Sequence, residues 1–156
     1  NNLIEWLPKN IPDDDETTIV HGDYRLDNMI LRNNEVIGIL DWELSTLGHP
    51  IADFSYHCLS WRTQEAFWDE AKLKELGIPS EREYMEMYCE NSGKDLSKNW
   101  EFYMAFNMFK IAGILQGILG RVRDGTAASK HAEERGNMVF PLSEAAWSTI
   151  EENFLK

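Results

Sequence analysis

Basic residues are scarce in this chain: 15 Lys and Arg stand against 27 Asp and Glu, a formal net charge of −12. That balance excludes a broad duplex-binding surface, because a phosphate backbone needs clustered positive charge, so no nucleic-acid partner is expected. The acidic surplus would suit a cationic acceptor, but it serves solubility equally well. Cysteine is nearly missing too. Cys58 and Cys89 are isolated in helix-like segments without CxxC spacing. This favours two core thiols in the cytoplasm or another reducing compartment over a disulfide or zinc site. Long uninterrupted apolar runs are also absent. Glu101, Asn107, Lys110 and Gln116 break up the stretch from Trp100 to Leu119, which therefore reads as a buried helix, and no membrane insertion is expected. No basic segment followed by an apolar run marks an export signal.

What is present fits one compact globular domain, with 43% hydrophobic residues and no repeat or low-complexity tract. Asn2 to Lys9 reads as the end of a helix, and Asp13-Asp14-Asp15-Glu16 as a solvated loop. β-Branched Thr17-Thr18-Ile19-Val20 predicts a short strand leading into His21. Asn33-Asn34 predicts a two-residue hairpin turn, since Asn tolerates positive φ. The expected register sets Arg32 against Glu35, Ile30 against Ile37 and Asn28 against Ile39. Asn28 and Asp41 would then share one face, as diagonal neighbours about 7–8 Å apart at the backbone, with room for one cation between them.

Beyond Asp41 the pattern is helical. One helix is expected over about 51–61. A second opens on the capping box Ser80-Glu81-Arg82-Glu83 and stops at Gly93. A long helix capped by Ser97 runs to about Arg123, apolar around most of its circumference and suited to the middle of a bundle. Gly113, Gly117 and Gly120 would admit a neighbouring backbone. Pro141 starts a final amphipathic helix. Trp61, Trp68 and Trp100 read as packing residues. The fold class is α+β: a mainly helical lobe with a small β-hairpin carrying the active-site loop.

The chemistry concentrates in His21-Gly22-Asp23-Tyr24-Arg25-Leu26-Asp27-Asn28 and, after the hairpin, Asp41-Trp42-Glu43. Phosphoryl transfer needs a carboxylate near the attacking hydroxyl and oxygen ligands for a metal near the phosphates. A lone HxD is weak evidence; HxDxxxxN joined by a hairpin to a strand-terminal Asp is strong. Each residue alone also has a structural reading: Asp23 could stabilise a loop, Asn28 could cap a turn and Asp41 could sit at a strand exit. Asp27 and Glu43 read as loop carboxylates. His49 and His57 lack zinc-ligand spacing.

This segment resembles the catalytic loop of protein-kinase-like phosphotransferases, and more closely the His-Gly-Asp form of aminoglycoside phosphotransferases and choline kinases. The run HGDYRLDNMIL…VIGILDWELSTLGHPIADFSY is similar to the phosphotransferase domains found joined to acyl-CoA dehydrogenase-like modules. The resemblance implies an enzyme that transfers the γ-phosphate of ATP to a hydroxyl of a small molecule, with Mg²⁺. By that resemblance Asp23 orients the acceptor hydroxyl or takes its proton, and Arg25 steadies the transferring phosphate. An exposed or salt-bridging arginine is the open alternative for Arg25. Asn28 and Asp41 would hold Mg²⁺ beside the nucleotide, and His21 would brace the loop. Asp53 either anchors the catalytic loop or simply complements a helix dipole.

The family pattern also includes an amino-terminal lobe with a phosphate-covering loop and a phosphate-binding Lys. No such Gly-rich segment precedes His21. Residues 1–156 therefore read as the carboxy-terminal, catalytic lobe, with the nucleotide-binding lobe elsewhere in a larger parent and little activity expected without it. A non-catalytic interaction or regulatory domain is the alternative. The acceptor itself is not legible from these residues.

Overall fold

The structure is a computed structural model that describes residues 2–63 and 70–156; Trp68 lies outside the described residues. The elements run α1 (Asn2–Trp6), β1 (Thr18–Val20), β2 (Met29–Arg32), β3 (Glu35–Ile39), β4 (Thr46–Gly48), α2 (Pro50–Cys58), α3 (Ser60–Thr63), α4 (Glu70–Glu75), α5 (Glu81–Ser92), α6 (Trp100–Arg123), α7 (Ala132–Asn137) and α8 (Val139–Phe154). The chain divides into two compact units, one of residues 14–100 and one of residues 1–13 with 101–156.

Among the described residues the first unit carries all four strands, as two antiparallel pairs, β1 with β4 and β2 with β3. The β2–β3 turn forms as its sequence requires: Asn33 and Asn34 both adopt positive φ, 51° and 63°. Arg32 faces Glu35 as expected, but a bulge between Ile30 and Leu31 shifts the rest of the ladder. Ile30 then faces Gly38 rather than Ile37, and Met29 rather than Asn28 faces Ile39. Gly38 admits this, because the Ile30 side chain lies over the position where a Cβ would stand. The shared-face argument for Asn28 and Asp41 fails in the form expected: Asn28 pairs with Leu40, whose N–H donates to the Asn28 carbonyl at 2.8 Å. β4 was not anticipated. It is three residues long and pairs Leu47 with Ile19.

Helices α2, α3 and α5 close around an aromatic cluster. Phe54, on α2, is buried and stacks on Tyr88 of α5 with ring centroids 3.9 Å apart, while Trp100 lies 5.6 Å away. Trp61 stacks on Tyr84 at 5.2 Å, and its indole N–H donates to the Pro79 carbonyl at 3.0 Å. Arg62 forks onto Glu81, whose carboxylate also accepts the Trp100 indole N–H at 2.8 Å. Trp61 and Trp100 are thus packing residues, as read from the sequence. The Ser80 capping box and the left-handed Gly93 stop (φ 71°) both form around α5.

The second unit is helical. Trp6 packs against Phe154, 5.1 Å away, and Phe102, 6.2 Å away. By length and composition α6 would pass as a membrane span, yet its first half carries the buried Phe102, Tyr103, Met104, Ala105, Asn107 and Met108. From Gly113 onward none of its residues is buried, so the mid-bundle expectation holds for half of the helix. The α6 glycines correct a second expectation. Gly113 and Gly120 face open space, and Gly117 meets only the Arg121 side chain. In this unit Gly136, on α7, is the glycine packed closely, where a Cβ would fall 3.0 Å from the Leu119 side chain. Ser97 does not cap α6: its N–H donates to Asp95 Oδ1 at 2.9 Å in a turn, and the helix starts at Trp100.

Phe54 ties α2 to the aromatic cluster, so its truncation should register globally. Phe54→Ala is expected to destabilise the protein by about 3–5 kcal/mol in denaturant titration; a loss below about 1 kcal/mol would contradict this packing role.

Candidate active site

The site is built by hanging one loop from one helix. The loop runs out of β1, where buried Val20 passes into buried His21. Pro50 opens α2, and His49 caps it by accepting the Ile51 N–H on Nδ1 at 3.2 Å. Asp53, in the first turn, receives the His21 N–H on Oδ2 at 2.6 Å and the Gly22 N–H on Oδ1 at 2.8 Å. Both carboxylate oxygens of Asp53 thus hold loop backbone. Of the two readings left open for this residue, the loop anchor is the one seen.

His21 supplies a second tie. Its Nε2 lies 2.7 Å from the Leu40 carbonyl, an acceptor only, so Nε2 carries the proton. Its Nδ1 then accepts the Asp23 N–H at 3.3 Å. The ring is a brace between the end of β3 and the loop. Gly22 is required by space as well as by conformation: its φ is +83°, and a Cβ there would stand 2.6 Å from the Leu44 carbonyl oxygen. His-Gly-Asp is therefore a structural unit in which His braces, Gly permits close approach, and Asp is presented.

Asp23 is held at both oxygens. Tyr56, on α2, donates its hydroxyl to Oδ1 at 2.6 Å, and Asn28 donates Nδ2 to Oδ2 at 3.0 Å. The same Asn28 Nδ2 donates to the Asp23 carbonyl at 2.9 Å. Burial, reinforced by the bond to Asp23, pushes the Tyr56 phenol up to about 12. Tyr56 therefore remains a donor at neutral pH. It is the site residue that the sequence reading missed. Its signal was weak: a phenol one turn beyond Asp53, on the same face of α2.

Arg25 is half exposed and pairs with Asp27, the contact that chiefly raises its pKa. Asp23 and Tyr56 are near enough to reinforce that shift. Asp41, two residues beyond β3, adopts the left-handed conformation, φ 63° and ψ 55°, at the start of a short 3-10 turn. Its carboxylate makes no hydrogen bond or ion pair among the described residues. Since Asn28 commits its amide nitrogen to Asp23, its Oδ1 is left as an acceptor. One amide oxygen and one carboxylate are a hard-oxygen pair. As donor types they suit Mg²⁺, which takes few protein ligands and completes its shell with water and phosphate oxygens. Among the described residues no cluster of three or more His, Cys, Asp or Glu could form an all-protein metal cage.

The anchor predicts a large penalty for cutting it. Asp53→Ala leaves two loop N–H groups without their acceptor and is expected to cost about 2–5 kcal/mol in denaturant titration. Gly22→Ala is expected to cost about 1–3 kcal/mol through its positive φ and the Leu44 contact. Wild-type stability in either variant would contradict the geometry.

Comparison with known proteins identifies the family. The sequence profile of the phosphotransferase enzyme family (APH) matches residues 1–88. Acyl-CoA dehydrogenase family member 10 of Mus musculus is 45% identical over 152 residues, covering 93% of this chain and 14% of that protein. Acyl-CoA dehydrogenase family member 11 of Homo sapiens is 39% identical over 159 residues, covering 97% of this chain and 20% of that protein. A crystal structure from Ralstonia eutropha, provisionally designated an aminoglycoside phosphotransferase, superposes with a TM-score of 0.87 at 47% identity. That match covers 97% of this chain and 48% of the solved one. The chain thus spans a fifth or less of these two relatives and about half of the solved neighbour. The loop, the hairpin and the anchoring helix all lie within the matched residues, and the chain belongs to the phosphotransferase enzyme family.

Proposed function

We propose that this chain is the catalytic lobe of a kinase that transfers the γ-phosphate of ATP to a hydroxyl group of a small molecule, with Mg²⁺. The observation that carries this reading is Asp23, presented on a braced loop with each carboxylate oxygen held by one donor. A carboxylate oxygen has two acceptor positions, so each retains one for an incoming hydroxyl. Asp23 orients that hydroxyl and takes its proton as the new oxygen–phosphorus bond forms and the bond from the γ-phosphorus to the β,γ-bridging oxygen breaks. Arg25 exchanges Asp27 for the transferring phosphate. An exposed ion pair is worth about 0.2–1 kcal/mol, so the exchange is cheap. Asn28 Oδ1 and the Asp41 carboxylate would hold Mg²⁺, which would neutralise charge on the phosphate oxygens.

The nucleotide-binding lobe belongs, on this reading, to the rest of a larger parent protein. Support comes from the half of the solved neighbour that this chain does not cover, and from apolar side chains left open on the strands. Ile19 and Leu47, paired across β1 and β4, are 74% and 71% exposed. We assign that face to the other lobe. A reducing compartment fits the free thiols of Cys58 and Cys89.

Transfer of labelled γ-phosphate by the full-length parent to a panel of hydroxyl compounds tests the proposal. Asp23→Asn is expected to lower kcat about 10²–10⁴-fold. Asn28→Ala and Asp41→Ala are expected to raise the Mg²⁺ concentration needed for half-maximal rate. Full turnover in Asp23→Asn would remove its assigned role. No transfer by the nucleotide-bound wild type across the panel would favour a regulatory, non-catalytic domain.

A further inference from the structure

We infer that Tyr56 is a positioning residue for phosphoryl transfer, holding the Asp23 carboxylate in the orientation in which it receives the acceptor hydroxyl. The inference rests on the function proposed above and adds a residue to it. A half-buried tyrosine hydroxyl ordinarily finds some partner, and a backbone carbonyl would satisfy it. Here the partner is the side chain on which the chemistry depends, 33 positions away in sequence and 2.6 Å away in space.

Three features separate this contact from routine packing. The first is the division of labour at Asp23. Asn28 holds Oδ2 from within the loop, and Tyr56 holds Oδ1 from α2. One donor alone would leave the carboxylate free to pivot about that bond; two donors on different oxygens stop the rotation. The second is the frame of reference. Asp53 and Tyr56 lie one turn apart on α2, so one rigid helix fixes both the loop backbone, through His21 and Gly22, and the carboxylate it displays. Phe54, between them in sequence, anchors that helix in the aromatic cluster. The third is the direction of donation. The phenol keeps its proton far above neutral pH, so it holds the carboxylate without competing with it for the acceptor's proton. A charge-assisted O–H to carboxylate bond is about twice as strong as a neutral one, which suits a rigid tether.

Tyr56→Phe in the full-length parent tests this, since it keeps the ring and removes the tether. The expected result is a fall in kcat of about 10–100-fold, the penalty for a loosened reactive group. KM for ATP should stay within about twofold, and the melting temperature within a few degrees. In an Asp23→Ala background, Tyr56→Phe should produce no further loss. Independently of turnover, the ¹³C resonance of the Tyr56 ring carbon bearing the hydroxyl should shift when Asp23 is replaced by Ala. Full kcat in Tyr56→Phe with an active wild type overturns this assignment alone. So does an equal loss in the Asp23→Ala background, or a ring-carbon resonance indifferent to Asp23. A nucleotide-bound wild type that transfers no phosphate overturns the function above and this assignment with it.

Discussion

The site depends on one carboxylate that does no chemistry. Asp53 accepts two consecutive backbone N–H groups, and those two bonds turn the end of β1 into a loop of defined shape. Two adjacent N–H groups pointing the same way need an acceptor with two oxygens, and on a partly buried loop they need it without water. Everything else is arranged around that clasp. Gly22 takes a left-handed φ so that both N–H groups can reach it, His21 turns its ring onto the Leu40 carbonyl, and Asp23 emerges just beyond. The hairpin is tied in from its own end, through Asn28 to Asp23 and through Leu40 to His21.

This arrangement makes His-Gly-Asp a structural unit in which His21 braces the loop. Its ring has an acceptor on one nitrogen and a donor on the other, so the neutral ring satisfies both. Asn28 is split in the same way: its amide nitrogen restrains Asp23, and its amide oxygen is left as an acceptor. Arg25 and Asp27, by contrast, form an exposed pair whose small net worth leaves the arginine exchangeable.

Much of this was legible in the sequence, for identifiable reasons. Asn33-Asn34 specified its turn because both central residues need positive φ, and Ser80 with Glu83 specified a helix start by mutual hydrogen bonding. Asp23, Asn28 and Asp41 stood out by joint spacing. The bulge after Ile30 was not legible, because it depends on Gly38 accepting the Ile30 side chain across the pair, a tertiary fact. β4 is too short to carry a periodic signal, and its partner lies 28 residues earlier, Ile19 against Leu47. The α6 glycines misled because small residues on an apolar helix suggest close packing, whereas here they lie on its open side. Tyr56 was hidden because a tyrosine on an apolar helix looks like core; only the fold reveals that its hydroxyl ends at Asp23.

We propose that Asn28 and Asp41 form the metal-holding side of the site that Asp23 serves. The most direct measurement is paramagnetic broadening by Mn²⁺ in the full-length parent, saturated with a non-hydrolysable ATP analogue. The account predicts that the broadening centres on Asn28 and Asp41, reaches Asp23 and its loop, and is reversed by excess Mg²⁺. Broadening centred elsewhere, with these residues untouched, would contradict it.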